Sequence, residues 1–150
     1  MISQKDIEIF LESKKIAIAG VSRNPKKFGH YVYQEFKKRD YVVYPLNPLA
    51  SDIDGDKVYS SITELPTDVK HLLILTPKKE TDKILREAIK QDFTNIWVQQ
   101  MSETKDTIKI AEEYHVKLIS KKCIFMFAVP VKGIHKFHRT IVKLFGRLPK

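Results

Sequence analysis

The sequence predicts an α/β fold in which a doubly wound, parallel sheet of five strands has helices on both of its faces. Short runs of β-branched and apolar residues alternate with longer stretches of helical periodicity along the chain. Strands separated by helices form βαβ units, which give a parallel sheet of the Rossmann-like kind. With 150 residues, 43% of them hydrophobic, and no internal repeat or Gly/Ser-rich linker, we expect a single domain over 1–150.

Capping and turn residues bound the elements in the first half of the chain. Ser3 and Asp6 have the spacing of a capping box, and Gly20 stops the first strand. Pro45 and the Asn47-Pro48 turn end the second strand. The predicted elements are a helix ending near 13, a strand at 15–19, a helix at about 28–39 and a strand at 41–44.

The second half of the chain predicts three further strands. Asp54-Gly55 marks a turn, and Ser61 with Glu64 has capping-box spacing for a very short helix. The apolar run at 71–75 is typical of a central strand covered on both faces. Ser102 is expected to cap a longer helix. The predicted elements are a strand at 71–75, a helix at 78–90, a strand at 95–98, a helix at 102–114 and a strand at 116–119.

The excess of positive charge is concentrated in a C-terminal extension over about 125–150, beyond a core at about 14–124. The chain has 27 basic and 18 acidic residues, and 132–150 holds six of the basic residues and no acidic one. We expect a basic amphipathic helix over 133–145. Three roles are open for this helix: it packs on its own domain, it forms a homodimer contact, or it binds an anionic partner. Nucleic acid is disfavoured as a partner, because the chain has no aromatic-interleaved basic sheet and no recognition-helix motif.

Composition excludes several classes of protein. The longest apolar run covers 124–131, far short of the ~20 residues that a membrane-spanning helix needs. The N-terminus lacks the apolar block of a secretory signal, so we expect a cytoplasmic location. Cys123 is the single cysteine, which excludes an internal disulfide and a cysteine-based zinc site.

The loop after the first strand predicts a phosphate-binding site. Parallel α/β sheets bind ligands at the carboxyl ends of their strands, where helix N-termini offer unpaired N–H groups. Gly20 allows a ligand to approach the backbone, and Ser22 adds a hydroxyl group. Arg23, Lys26 and Lys27 add positive charge. The alternative interpretation is a solvated turn that merely contains basic residues.

A standard dinucleotide site is disfavoured. Its fingerprint requires G-x-G-x-x-G, whereas the glycines here are Gly20 and Gly29. No acidic residue stands at the end of the second strand to bind a ribose diol; the sequence there is Tyr-Pro-Leu-Asn-Pro over 44–48. A shorter nucleotide beside a proline-rich wall fits these features better.

Two further loops place polar groups at strand ends. Thr76 and Pro77 precede the helix at 78–90, with Pro77 near its first position. Gln99 and Gln100 follow the fourth strand, and a structural and a functional role are equally open for them. We expect Trp97 in the core.

Taken together in their order, these motifs resemble the small CoA-binding protein family, whose Rossmann-type domain is also seen at the start of the α subunit of succinyl-CoA synthetase. The matching segments cover 20–25 with 28–29, 43–48, 54–59, 76–77, 96–100 and 123–124. No single motif is specific, but the ordered set spans roughly 14–124.

The resemblance implies which part of CoA each loop would bind. Ser22 and the backbone of the first loop, with Gly20 and Val21, would hold the diphosphate of CoA. The Asn47-Pro48 turn would border the adenosine, and Thr76-Pro77 would line the path of the nucleotide and the pantetheine. Gln100 would lie near the exit of the pantetheine arm.

The sequence departs from the family pattern at one place. A basic residue that can meet the 3′-phosphate often follows the Asn-Pro turn, whereas this chain has Leu49-Ala50. Lys26 or Lys27 could substitute for it.

Catalysis is not expected of this chain alone. Related ligases need a phosphorylated histidine and an ATP-grasp partner in other domains. The five histidines and Cys123 form no nucleophile–base pair in the sequence, and His135 and His138, on one helix face, have no acidic or cysteine ligand nearby. We therefore predict non-catalytic binding of coenzyme A or an acyl-CoA by a carrier, sensor or partner module. The alternative is a nucleotide-binding subunit of a multi-chain acyl-CoA or NAD(P)-dependent enzyme.

Overall fold

The structure, a computed structural model, describes residues 1–128; the predicted helix at 133–145 lies outside the described residues. Within residues 1–128, no helix has both the length and the apolar composition that crossing a membrane requires. The helices are α1 (Gln4–Glu12), α2 (Phe28–Lys38), α3 (Lys78–Lys90), α4 (Lys105–Glu113) and α5 (Phe125–Ala128). The strands are β1 (Lys15–Ala19), β2 (Val42–Leu46), β3 (Asp52–Ile53), β4 (Asp56–Lys57), β5 (His71–Ile74), β6 (Asn95–Gln99) and β7 (Leu118–Lys122), and a 3₁₀ turn covers Ile62–Glu64.

Five of the strands form one parallel sheet in the order β2-β1-β5-β6-β7. The predicted Rossmann-like, five-stranded parallel sheet is therefore confirmed. The chain passes from β1 to β2 on one side of β1 and returns to β5 on its other side, so the strand order switches direction at β1. Open α/β sheets bind their ligands at the carboxyl ends of the strands beside such a switch point.

Both faces of the sheet are covered by helices. Alternation along β1 sends Ile16 and Ile18 into a core with α1, α2 and α5, and Ala17 and Ala19 into a core with α3 and α4. Trp97 is fully buried in the first of these cores, where its ring lies edge-on to that of Phe10 at 5.4 Å. The expected core position of Trp97 is confirmed.

Strand β2 is longer than predicted. It continues through Pro45 to Leu46, pairing Pro45 with Ile18 of β1. A proline is tolerated here because β2 is an edge strand. No strand of the described sheet lies on its outer side to need the N–H that proline lacks. The outer side is also used, since the carbonyl oxygen of Pro45 accepts a hydrogen bond from Tyr59 N at 2.8 Å. The predicted end at Pro45 is wrong, and Asn47 is the first residue beyond the strand.

Two predicted helix caps are also wrong. Helix α4 is capped by Thr104, whose side chain accepts from Asp106 N and Thr107 N, rather than by Ser102. Ser102 is held in the preceding turn, where its N–H donates to Gln99 O at 2.9 Å. At the 3₁₀ turn Ser61 forms no capping bond; the hydroxyl of Ser60 donates to Glu64 at 2.6 Å instead.

The last strand lies further along the chain than the predicted 116–119. Val116 N still donates to Ala111 O, which closes the end of α4, so pairing with β6 begins only at Leu118. The ladder is irregular between Trp97 and Gln99, and β7 continues to Lys122.

The turn at Asp54-Gly55 is part of a small hairpin formed by β3 and β4. Both turn residues have positive φ, 52° and 84°, as the tightest hairpin turns require. The hairpin is tied to α2 by Tyr33, whose hydroxyl donates to Ile53 O at 3.2 Å and contacts Asp56. Burial raises the pKa of Tyr33 to about 12, so this hydroxyl stays neutral and continues to donate.

Candidate ligand-binding site

Two cavities open at the carboxyl ends of the strands, on either side of the loop that follows β1. The first cavity, of about 570 Å³, lies between the ends of β1 and β2 and helix α3. The second cavity, of about 440 Å³, lies between the start of α2 and the end of β6. Gly20, Ser22 and Pro77 line both cavities, which therefore meet at the loop.

The two glycines of the loop are required by close backbone contacts. A Cβ on Gly20 would lie 2.9 Å from the carbonyl carbon of Leu75, and the φ of Gly20 is +96°. A Cβ on Gly29 would lie 2.1 Å from the carbonyl oxygen of Gly20. The start of α2 therefore packs directly on the loop. This contact explains the spacing of the two glycines, which does not match the dinucleotide fingerprint.

The backbone of the loop offers several unpaired donors. The N–H groups of Val21, Ser22 and Arg23 form no hydrogen bond with any of residues 1–128, and neither do those of Gly29 and His30 in the first turn of α2. The positive end of the α2 dipole lies at the same place. Residues 20–29 include three basic side chains and no acidic one. Such a group of donors favours an anion.

The side chains of Ser22 and Asn47 have different roles. The Oγ of Ser22 accepts a hydrogen bond from Asn24 N at 3.0 Å, which leaves its own O–H able to donate to a ligand. Asn47 Nδ2 donates to Val21 O at 2.8 Å, and its Oδ1 accepts from Leu49 N at 2.8 Å. Both ends of the Asn47 amide are therefore used to fix the loop and its own turn.

Seven of the residues predicted from the sequence line the first cavity, and five line the second. Those of the first are Gly20, Val21, Ser22, Asn47, Pro48, Thr76 and Pro77, and those of the second are Gly20, Ser22, Lys27, Pro77 and Gln100. Arg23, Lys26 and Pro45 line neither cavity. The side chains of Arg23 and Lys26 are exposed, and Pro45 is buried within β2.

One face of α3 belongs to the first cavity and was missed by the sequence reasoning. Glu80, Lys83, Ile84 and Glu87 recur at i, i+3, i+4 and i+7, the spacing of a single helix face. Among residues 1–128, Lys83 is the one cation that lines this cavity. It forms no ion pair with residues 1–128, although Glu80 and Glu87 are spaced to pair with it. The signal was the helical period of 78–90, combined with the position of its first turn beside Thr76.

The second cavity is bounded by the two glutamines at the end of β6. Gln99 is 3% exposed, and its Oε1 accepts from Ile124 N at 3.0 Å, which is a structural role. Gln100 is half-buried and lines the cavity. Met101 also lines it, with a positive φ of 77° and a largely exposed side chain. Gln99 therefore has a structural role, and the functional role of Gln100 stays a prediction.

Comparison with known families shows which family this chain matches. A family model described as a CoA binding domain matches residues 14–128. The chain belongs to this family. The segments on which the resemblance was based lie within the match, so the expected family membership is confirmed.

Relatives of this CoA-binding domain include both larger enzymes and proteins of similar size. It is 29% identical to subunit alpha of an ADP-forming acetate–CoA ligase II from Pyrococcus furiosus, covering 79% of this chain but 28% of that subunit. It is 25% identical to the uncharacterized protein YneT of Bacillus subtilis, covering 78% of this chain and 87% of YneT. A solved structure of a conserved hypothetical protein from Pyrococcus furiosus is 31% identical with a TM-score of 0.72, covering 75% of this chain and 97% of that one. The chain thus spans less than a third of the ligase subunit.

Proposed function

We propose that this protein binds coenzyme A or an acyl-CoA and does not itself catalyse a reaction on it. In this proposal the diphosphate lies on the loop after β1, the adenosine in the first cavity and the pantetheine arm in the second. The observation that carries the proposal is the meeting of two cavities at Gly20, Ser22 and Pro77, beside backbone N–H groups that have no hydrogen-bond partner among residues 1–128. CoA has the same order of parts, with an anionic diphosphate between two arms of different chemistry.

The residues lining the first cavity fit a nucleoside. Its volume of about 570 Å³ lies within the range usual for small-molecule sites, about 300–1,000 Å³. Leu46, Pro48 and Ile84 supply apolar contact for a flat base, and the serines at 60 and 61 supply hydroxyl groups. Leu49 is 83% exposed at the rim, where the family often has a basic residue.

Lys83 is the residue that we assign to the 3′-phosphate. The sequence left Lys26 or Lys27 for this role, but Lys26 lines neither cavity and Lys27 lines the second. Lys83 faces the proposed nucleoside without an ion-pair partner among residues 1–128. A lysine binds phosphate as a compact point charge, so it does not need the planar geometry of an arginine.

The second cavity fits the pantetheine arm. Phe28, Leu75 and Met101 give it apolar walls, while the amide of Gln100 and the hydroxyl of Ser102 can meet the two amide groups of the arm. The Oγ of Ser22 accepts a hydrogen bond from Asn24 N, and we assign its hydroxyl to binding the ligand rather than to a nucleophilic step.

A second candidate is a subunit that contributes this site to a larger acyl-CoA enzyme. The relative that is itself a subunit of acetate–CoA ligase favours it. An NAD(P)-dependent enzyme is disfavoured, because the residue at the end of β2 is Asn47, whose amide is already used within the protein.

Calorimetric titration of the full chain with CoA, dephospho-CoA and NAD in parallel tests the proposal. We expect CoA to bind at micromolar or lower concentration, dephospho-CoA more weakly, and NAD more weakly still. No heat of binding with CoA contradicts the proposal. NAD binding tighter than CoA favours a dinucleotide-dependent enzyme instead.

A further inference from the structure

The side chain of His30, in the first turn of α2, forms a hydrogen bond to the loop after β1. His30 is 2% exposed, and its Nδ1 lies 2.7 Å from the carbonyl oxygen of Ser22. Because a carbonyl oxygen can only accept, Nδ1 carries the proton and donates. His30 lines neither cavity, so its side chain is not among the groups that a ligand in either cavity would contact.

Other contacts fix the orientation of the His30 ring. Its Nε2 lies 3.0 Å from Asp54 Oδ2 and 3.1 Å from Gln34 Nε2. Gln34 Nε2 also donates to Asp54 at 3.2 Å, and the ring lies edge-on to Tyr33 at 5.9 Å. The ring therefore bridges the loop and the β3–β4 hairpin, and it cannot rotate without losing these contacts.

The hydrogen bond to Ser22 determines where the next N–H group points. In a planar trans peptide the C=O of one residue and the N–H of the next point in opposite directions, and the described chain has no cis peptide bond. Since the Ser22 carbonyl points back to His30, the N–H of Arg23 points away from it. That N–H has no acceptor among residues 1–128.

Asn47 holds the preceding peptide in a similar way. Its Nδ2 binds Val21 O, so the N–H of Ser22 points away from Asn47. Two successive carbonyl groups are thus held by side chains, and the two N–H groups that follow them are left for a ligand.

We propose that His30 is a positioning residue that aims the N–H of Arg23 at the bound diphosphate. Arg23 lines neither cavity, but this N–H belongs to the peptide that Arg23 shares with Ser22, which lines both. This inference rests on the proposed function, because it assigns a role in binding the same anion. His30 itself touches no ligand; it keeps the Ser22–Arg23 peptide from turning over, which would direct a carbonyl oxygen at the phosphate.

Three variants of the full chain separate positioning from simple stability. His30→Leu removes the donor, His30→Asn keeps an N–H at the position of Nδ1, and Asp54→Asn changes the other side of the ring while leaving the Ser22 bond. We expect His30→Leu to weaken CoA binding by about tenfold or more, the loss of one hydrogen bond to a charged group. We expect His30→Asn to stay within about threefold and Asp54→Asn within about twofold of wild type.

Thermal unfolding of each variant provides the matched measurement. A merely structural role predicts that affinity follows melting temperature across all three variants, and that His30→Asn is not rescued. Equal affinity losses in His30→Leu and His30→Asn overturn the inference, and so does wild-type affinity in His30→Leu.

An NMR measurement on the unliganded protein tests whether His30 holds the Ser22–Arg23 peptide, independently of CoA binding. We expect His30→Leu to change the amide shift of Arg23 and to lower its heteronuclear NOE, because the peptide is no longer held. An unchanged Arg23 amide overturns the inference. If wild type does not bind CoA, the proposed function fails, while this measurement still tests the role of His30.

Discussion

Replacing Gly29 with alanine tests the packing that forms the site. Its φ is not in the left-handed region, so helix propensity alone predicts that Gly29→Ala stabilises α2 by up to about 1 kcal/mol. The structure predicts the opposite sign. The added Cβ would lie 2.1 Å from Gly20 O, whereas real Cβ contacts stay above 3.0 Å, so α2 and the loop must separate by nearly 1 Å. Overpacking of this kind costs about 1–3 kcal/mol.

The net expectation for Gly29→Ala is a loss of about 1–2 kcal/mol in the free energy of unfolding, which lowers the melting temperature by about 2–8 °C in a chain of this size. CoA binding should weaken by about 10–100-fold, because the N–H groups of α2 move out of hydrogen-bond range of an anion on the loop. The two measurements are thermal unfolding by circular dichroism and calorimetric titration.

Gly55→Ala is the matched control for this experiment. A Cβ on Gly55 would meet no atom of residues 1–128 within 4 Å, but the φ of Gly55 is +84°. We therefore expect Gly55→Ala to cost about 1–2 kcal/mol through backbone strain and to leave the CoA affinity unchanged. A Gly29→Ala protein that is as stable as wild type, or more stable, refutes the packing argument. Wild-type CoA affinity in a destabilised Gly29→Ala refutes the placement of the anion at the start of α2.

Three further predictions concern single side chains. Ser22→Ala should weaken CoA binding by about 1 kcal/mol through its lost hydroxyl, whereas Lys26→Ala, on the exposed side of the loop, should change it by less than about 0.5 kcal/mol in titrations at one salt concentration. Lys83→Ala should weaken CoA more than dephospho-CoA; equal losses for the two ligands contradict its assignment to the 3′-phosphate. Burial lowers the pKa of His71 from 6.5, so its contribution to stability is present above that pH and is lost as the pH falls towards the lower folded value. Urea unfolding between pH 7 and pH 5 should show this loss as a fall in the free energy of unfolding. His71→Leu should make the free energy of unfolding depend less on pH, and an unchanged pH dependence contradicts the role given to His71.

Local signals predicted most of the sheet because the strands are short and bounded by turn residues. Gly20 ends β1 as expected. Pro45 does not end β2, because a proline is tolerated in a strand at the edge of the sheet. Which strand lies at the edge cannot be read from one segment of the sequence. The caps at 102 and 104 are equally suitable in sequence, and only the turn that holds Ser102 decides between them.

The loops at the strand ends were predicted as parts of the candidate site, whereas the contributions of helices α2 and α3 were missed. The loop after β1 combines glycine, hydroxyl and charge within a few residues, so the sequence alone predicts it as a phosphate-binding loop. Lys83 and His30 lie inside helices, where an exposed lysine or a buried histidine has many ordinary explanations. Their relation to the loop follows only from the packing of α2 and α3 against it.

A structure of the protein bound to CoA is the most direct test of the central claim that one ligand spans both cavities. We expect diphosphate oxygens within hydrogen-bond distance of the N–H groups of Ser22 and Arg23. We also expect the adenine beside Pro48 in the first cavity and the pantetheine arm beside Gln100 in the second. A diphosphate held elsewhere, or an adenine seated in the second cavity, contradicts the proposed mode of binding.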